Sequence, residues 1–412
     1  MGKIKNRIIV ILIFCFGGWL SLFPEYVQLR YYYFFLCLLA GMFICSFKRR
    51  FIENIQDIFF YLLLLSFTLS TIFAYDWKVA WLRYYYLVPH IFFMYYVGKN
   101  LLYHRKEFVS MVFSVFAILV AVVGILEFLW GKNLLYEKFW PNPYYPRYIL
   151  TKKIMATQYH PSVLGTYFLG VLPFAVYLGF YSRHKFFKNM GKLSMVLASV
   201  GIWLTFSWGA IISFYVFLCI IMGRNSMKLI FILLLLLVFI DKIIYDSFSP
   251  HGPVRRWVFR DDLPAYDKLL YKLQKFEIAY REMKLNPLLG VGLDNFRVLY
   301  DKYCGVRRRN ISWGLKVCDN MYLTIIVEMG ILGAILFGSW LFLLLLPFRN
   351  RFTAKQNWKY NPDEWFLFLI YAGFLSLLFN MFTYEIFYWR MPLSIFWTYA
   401  GILREGHNVK SV

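Results

Sequence analysis

Between residues 247 and 318 the chain carries fourteen lysines and arginines against seven aspartates and glutamates, a net charge of +7. Cations at that density suit one of two partners. One is solvent and anionic lipid headgroups; the other is an anionic substrate such as a lipid-linked phosphate or diphosphate. Lys268, Lys272 and Lys275 repeat at helical spacing beside an apolar stripe of Leu269, Leu273, Phe276, Tyr280 and Met283. Asp261 and Asp262 precede the pattern, Pro264 falls near its first turn, and Asn286-Pro287 ends it, which predicts a helix over 264–285. Such a helix would lie on a membrane surface or on neighbouring helices, its lysines turned toward a cavity. Gly290-Val-Gly292 reads as a tight turn, either purely structural or bringing backbone close to a ligand. It is no nucleotide loop, for it lacks a third glycine, a preceding strand and a βαβ frame. No Cys/His spacing suits zinc and no Walker-type loop occurs, so neither metal nor cofactor is expected and the energy for chemistry must arrive with the substrate. Cys304 and Cys318 are the cysteines outside the apolar blocks. They would either close a loop worth about 3 kcal/mol in an oxidising compartment or stay as thiols.

The rest of the chain is the apolar frame that has to position this segment. Of 412 residues, 60% are hydrophobic and 16% charged, against roughly 45–50% and about 25% in soluble domains. The apolar residues come in blocks near the roughly 20 residues a helix needs to cross a bilayer. The expected fold is all-α, a polytopic membrane protein of about twelve transmembrane helices with one large helical extracytoplasmic loop. Spans are expected at 8–23, 29–47, 57–75, 79–97, 108–130, 158–180, 191–206, 209–223, 227–246, 319–347, 364–383 and 387–403. Residues 1–246 would then hold the first nine, 247–318 the loop, and 319–412 the last three with a cytoplasmic tail.

Lys3, Lys5 and Arg7 precede the first block, but no small-x-small cleavage site follows, so it reads as an uncleaved span. Basic residues gather in alternate short connections, such as Lys48, Arg49 and Arg50 or Arg183, Lys185 and Lys188. That bias puts both termini in the cytoplasm and the longer connections 131–157 and 247–318 outside. Flanking cations of this kind account for most of the formal charge of +23, so membrane lipid and not nucleic acid is the expected partner. The Pro- and Tyr-rich run from Trp140 to Arg147 reads as a non-helical cap. Residues 191–206 and 209–223 meet at Ser207-Trp208-Gly209 without a charged turn, predicting a tight hairpin whose tip sits near the outer surface.

The run Asn286-Pro287-Leu-Leu-Gly290-Val-Gly292-Leu-Asp-Asn-Phe296 is followed by Asn320-x-Tyr-Leu and by Glu328-x-Gly-x-Leu-Gly333. Upstream stand Tyr159-His160-Pro-Ser-x-x-Gly165 and Leu204-Thr-Phe-Ser207-Trp-Gly209. In order and placement these segments, spread over 155–335, resemble the O-antigen ligase and polymerase family. The resemblance implies a metal-independent, inverting glycosyltransferase on the outer face of a bacterial inner membrane. Such an enzyme moves a glycan from undecaprenyl diphosphate to a lipid A–core sugar, a growing chain end or, in some branches, a protein. A diphosphate leaving group needs fixed positive charge, and the acceptor hydroxyl needs a base.

By that resemblance Lys272, with Arg281 as second candidate, would hold the diphosphate; Lys268 and Lys275 share its helical stripe, and Arg83, near the outer end of the fourth span, would either reach the diphosphate or snorkel to the interface. The sequence departs from the family pattern at three places. Trp208 stands where the hairpin tip usually carries arginine, Lys272 or Arg281 where the loop helix carries one, and Asp319 where the tenth span opens with histidine. Asp319 would be the replacement base, a structural carboxylate paired with the basic loop, or the mark of a degenerate site. Its reference pKa lies about 2.6 units below that of histidine. His160 is the alternative base, with a helix-end packing role as the other reading. Asn286, Pro287, Gly290, Gly292, Asn320, Ser207, Gly209 and Glu328 carry the motif and are read as structural. Two readings outside transfer remain open: a lipid-linked sugar transporter or flippase, and a non-catalytic partner of a polysaccharide assembly machine.

Overall fold

In the computed structural model the described residues are 2–23, 32–46, 51–133, 135, 153–158, 160–223, 265–303, 317–353 and 361–408. Among them every regular element is helical. The expected span 227–246, the cap at 140–147, Tyr159, Asp261, Asp262, Pro264 and Cys304 lie outside the described residues. The helices are α1 Gly2–Leu22, α2 Tyr32–Ser46, α3 Ile55–Ile72, α4 Trp77–Val97, α5 Lys106–Trp130, α6 Pro161–Tyr181 and α7 Lys185–Leu204. They continue with α8 Trp208–Met222, α9 Ala265–Met283, α10 Asn295–Tyr303, α11 Met321–Thr353, α12 Pro362–Asn380 and α13 Arg390–Asn408.

Local chemistry explains where they start. Asn54, Asp76 and Asn361 accept backbone N–H groups of the first turns of α3, α4 and α12, and proline opens both α6 and α12. Five helical stretches are long and apolar enough to cross a membrane: Ile55–Ile72, Trp77–Trp130, Pro161–Tyr181, Met321–Phe348 and Pro362–Asn380. The second of these is α4 and α5 joined through a short π-turn at Gly98–Leu102. Asn6–Leu22, Tyr32–Ile44 and Trp208–Met222 are apolar but shorter.

The helices run alternately, so their ends gather at two poles. At one pole Asn295 bonds both the N–H and the carbonyl of Asp76, the Met321 N–H reaches the Met381 carbonyl at 2.8 Å, and Ser207 donates to Ser162. At the other, Arg105 donates to Asn6, Lys106 pairs with Asp363, and Glu405 lies 3.3 Å from His104. The beginning of α1 and the end of α13 therefore share one pole. There Asp57 accepts from Arg404 through both carboxylate oxygens, at 3.0 and 2.8 Å, with Lys99 at 3.4 Å, all three fully inside the bundle. A paired charge so placed is held by geometry, because either partner alone would be costly. α6 is the centre of the packing, with 94% of its apolar window buried.

Candidate functional site

Two segments some forty residues apart build the first pole. α11 is broken at Gly330, whose φ of +69° and ψ of −173° leave the helical region, so the ladder of backbone hydrogen bonds is interrupted there. The groups set free do not go unpaired. The Val291 and Gly292 N–H donate to the carbonyls of Val327 and Glu328 (both 3.0 Å). In return the Ile331 and Leu332 N–H donate to Pro287 and Leu288 (2.9 and 3.1 Å). Gly290, at φ +77°, lies directly against this break. A Cβ on Gly290 would collide with the Glu328 carbonyl, and one on Gly330 with the Leu288 carbonyl. Asn286 closes the turn by accepting the Leu289 N–H, and the Tyr75 N–H reaches the Val291 carbonyl at 2.8 Å. Gly290 and Gly292 thus bring backbone close to a broken helix. The non-helical backbone here is buried in protein and its polar groups are paired.

On this scaffold sits a set of charged side chains. The Lys275 ammonium, on α9 and buried, meets the Asp319 carboxylate at 2.5 Å, while the Asp319 side chain remains 47% exposed. Asp319 occupies a left-handed conformation (φ +56°) just before Asn320, whose side chain caps α11 through the Leu323 N–H. Behind it Glu385 is buried, accepting the Cys318 N–H at 2.8 Å and the Thr324 hydroxyl at 2.7 Å. Burial, with Asp319 nearby, pushes the Glu385 carboxyl up to about 7. Arg297 pairs with Asp294 at 3.0 Å, which keeps it cationic against its burial. The guanidiniums of Arg297 and Arg83 both rest on the Tyr388 ring, each 4.5 Å from its centre. Arg83 also donates to the Phe387 carbonyl at 2.6 Å, and the Tyr388 hydroxyl donates to Glu328. A cavity with room for about one water molecule lies beneath, between Arg83, Thr324, Glu328 and Tyr388.

The residues singled out in sequence fall into three groups. Lys275 and Asp319 come together, and Asp319 is the only one of the two open to an incoming molecule. Arg83 is present at the same pole but is occupied with Tyr388 and the 387 carbonyl. Arg281 is turned away: its side chain is half exposed and paired with Glu277 one turn back on the outer surface of α9. Lys268 and Lys272 lie on α9, but their side chains fall outside the described residues.

His160 uses Nδ1 to accept the Ser162 N–H at 3.1 Å, capping α6, and packs its ring near Tyr384 and Trp389. That bond serves the helix-end reading. Ser207 and Gly209 form the tip between α7 and α8, against Ser162, Asn380 and Thr383. Glu328 is buried, its carbonyl accepting from Gly292 and Ser70 and its carboxyl from Tyr388. Cys318 is a free buried thiol, pushed well up by burial. Glu127 is buried and accepts the Met155 and Ala156 N–H groups and the Asn133 amide.

Sequence reasoning missed Arg297 and Tyr388. The first had a signal, for Asp294 and Arg297 stand three apart at the start of α10; the second had none. It also missed Glu282, fully buried on α9 with neither carboxyl oxygen hydrogen-bonded. Burial, reinforced by Glu328, pushes this carboxyl up to about 10. Among the described residues no cluster of histidine, cysteine or carboxylate side chains could hold a metal.

Comparison of the chain with protein-family models and with curated proteins returns no match.

Proposed function

We propose that the chain is a glycan transferase of the O-antigen ligase and polymerase type, taking its donor from a polyprenyl diphosphate at the pole that carries Lys275 and Asp319. In this reading the bundle crosses a bacterial inner membrane about twelve times, with that pole outside and both termini in the cytoplasm. The observation that carries it is the convergence of the two family-like segments. Asn286–Phe296 and Asn320–Gly333 dock on each other through the Gly330 break and bring a buried ammonium and an accessible carboxylate to the same rim.

In the step itself the acceptor oxygen bonds to the donor sugar carbon as that carbon's bond to the diphosphate breaks. The hydroxyl proton passes to Asp319, and the bonding pair leaves on the diphosphate. Lys275, freed from Asp319 as that carboxylate is neutralised, would stand beside the new phosphate charge, with Lys272 and Lys268 on the same helix. The opposite pole, closed by Asp57, Arg404 and Lys99, favours one-sided access over a transport cycle.

The test uses purified protein in lipid nanodiscs with a polyprenyl-diphosphate-linked glycan and a series of acceptors. Product and released polyprenyl diphosphate should appear together, and Asp319→Ala, Lys275→Ala and Lys272→Ala should each reduce both. Undiminished transfer in all three variants would reject the assignment. Which acceptor is used separates ligase from polymerase.

A further inference from the structure

α9 is built inside out for a helix that faces water. The side packed on α11 carries Lys275, Ile278, Ala279 and Glu282, all buried, two of them ionisable. The opposite side carries Leu273, Phe276 and Tyr280, each more than half exposed, and among them Glu277, whose charge is paired with Arg281. At 100° per residue these three fall about 145° from the centre of the buried set. A helix on a soluble surface has the reverse arrangement, because apolar area left in water costs about 25 cal/mol per Å².

Two further observations say what covers this face. The exposed stripe runs on through Leu285 and Leu288 to Ile331 and Ile335 of α11. Leu288 is joined to that helix by the Leu332 N–H bond. Only a third of the apolar window of α11 is buried in the protein, so its outward side is the side a bilayer would meet. The same pole also bears three aromatic side chains that each carry a lysine. Lys284 lies 4.2 Å from the centre of Tyr280, Lys302 5.5 Å from Tyr75, and Lys78 5.9 Å from Trp77. Aromatic rings with adjacent cations mark the level of lipid headgroups.

We propose that α9 is an interfacial helix, its Leu273–Phe276–Tyr280 stripe sunk among acyl chains and Arg281 and Lys284 set on anionic lipid headgroups. The surface it fits is an anionic leaflet. This placement holds whether or not the chain transfers sugar. It gives Arg281 a role that the transfer reading does not, and it sets Lys275 on the helix face turned away from lipid.

The experiment is hydroxyl-radical footprinting of the full chain, one copy per nanodisc, in zwitterionic discs and in discs containing phosphatidylglycerol. Phe276 and Tyr280 should be oxidised about fivefold or more slowly than half-exposed rings in water would be, and more slowly still with the anionic lipid. The Arg281→Glu/Lys284→Glu double variant should keep the first protection and lose the second. A Phe276→Trp variant supplies an independent reading: the emission it adds should be quenched by acyl-brominated lipid. Rapid oxidation of Phe276 and Tyr280 with no bromolipid quenching overturns the proposal. Protection that ignores both the anionic lipid and the charge reversal overturns the headgroup contact. Neither readout depends on transferase activity, so failure here is distinguishable from failure of the transfer assay.

Discussion

Glu282 offers the most direct measure of how α9 is held. Its carboxyl is fully buried against α11, neither oxygen has a hydrogen bond, and it keeps its proton until about pH 10, against 4.5 in the open. Docked α9 therefore binds one more proton than undocked α9 throughout that interval. Docking is unpenalised below 4.5, weakens tenfold per pH unit above it, and levels off above about 10. At about 1.36 kcal/mol per unit, the three units from 4.5 to pH 7.5 cost roughly 4 kcal/mol.

Glu282→Gln removes the linkage and leaves a buried amide that costs about 1–3 kcal/mol. The net gain at pH 7.5 is therefore about 1–3 kcal/mol, and between pH 6 and pH 9 the variant's advantage grows by about 4 kcal/mol. Hydrogen exchange over 276–283 in nanodiscs, corrected for intrinsic rates, reads this directly. The native chain should lose protection steeply with pH and the variant should not. Parallel pH curves for the two chains would refute the argument, because they would mean that Glu282 is already ionised or already partnered.

The Gly330 break makes a second demand. Gly330→Ala and Gly290→Ala each force a side chain into a carbonyl at positive φ. Each should cost about 1–3 kcal/mol in strain alone, read as a lower unfolding temperature and faster exchange at the Val291 and Gly292 amides. At the Lys275–Asp319 pair, Asp319→Asn takes a counter-charge away from a buried ammonium, whereas Lys275→Met/Asp319→Asn removes both charges together. The double variant should be the more stable of the two, with a coupling on the order of 1 kcal/mol because Asp319 is half exposed. At the far pole Arg404→Met removes the bidentate partner of Asp57, leaving it Lys99, the Tyr95 hydroxyl and the Glu53 N–H, and should destabilise by about 3–5 kcal/mol, with Asp57→Asn in the same chain restoring part of the loss.

Much of the frame was legible in the sequence, because the signals involved are local. Apolar blocks, Asn54, Asp76 and Asn361 as caps, and Pro161 and Pro362 as first-turn residues specify helices from a few neighbouring residues. A helix stands in each expected span that falls among the described residues, although fewer of these helices are long and apolar enough to cross a membrane. The loop helix was expected over 264–285 and is found at Ala265–Met283. The motif runs around Gly290 and Gly330 were also visible as segments, as was the turn at Gly290-Val-Gly292.

Tertiary structure alone decided what those segments do to each other. Nothing in the spacing of Asn286–Phe296 says that its amides repair a broken helix forty residues on, since hydrogen bonds between distant backbones leave no periodicity behind. The same holds for the lysine stripe: local pattern could not say that Lys275 turns inward to Asp319 while Arg281 turns outward to Glu277. That choice belongs to the packing of α9 on α11, which buries one face and leaves the other exposed. Arg83 and Arg297 meet on Tyr388 for a like reason. They come from helices more than two hundred residues apart, and only the assembled pole brings them within reach of one ring.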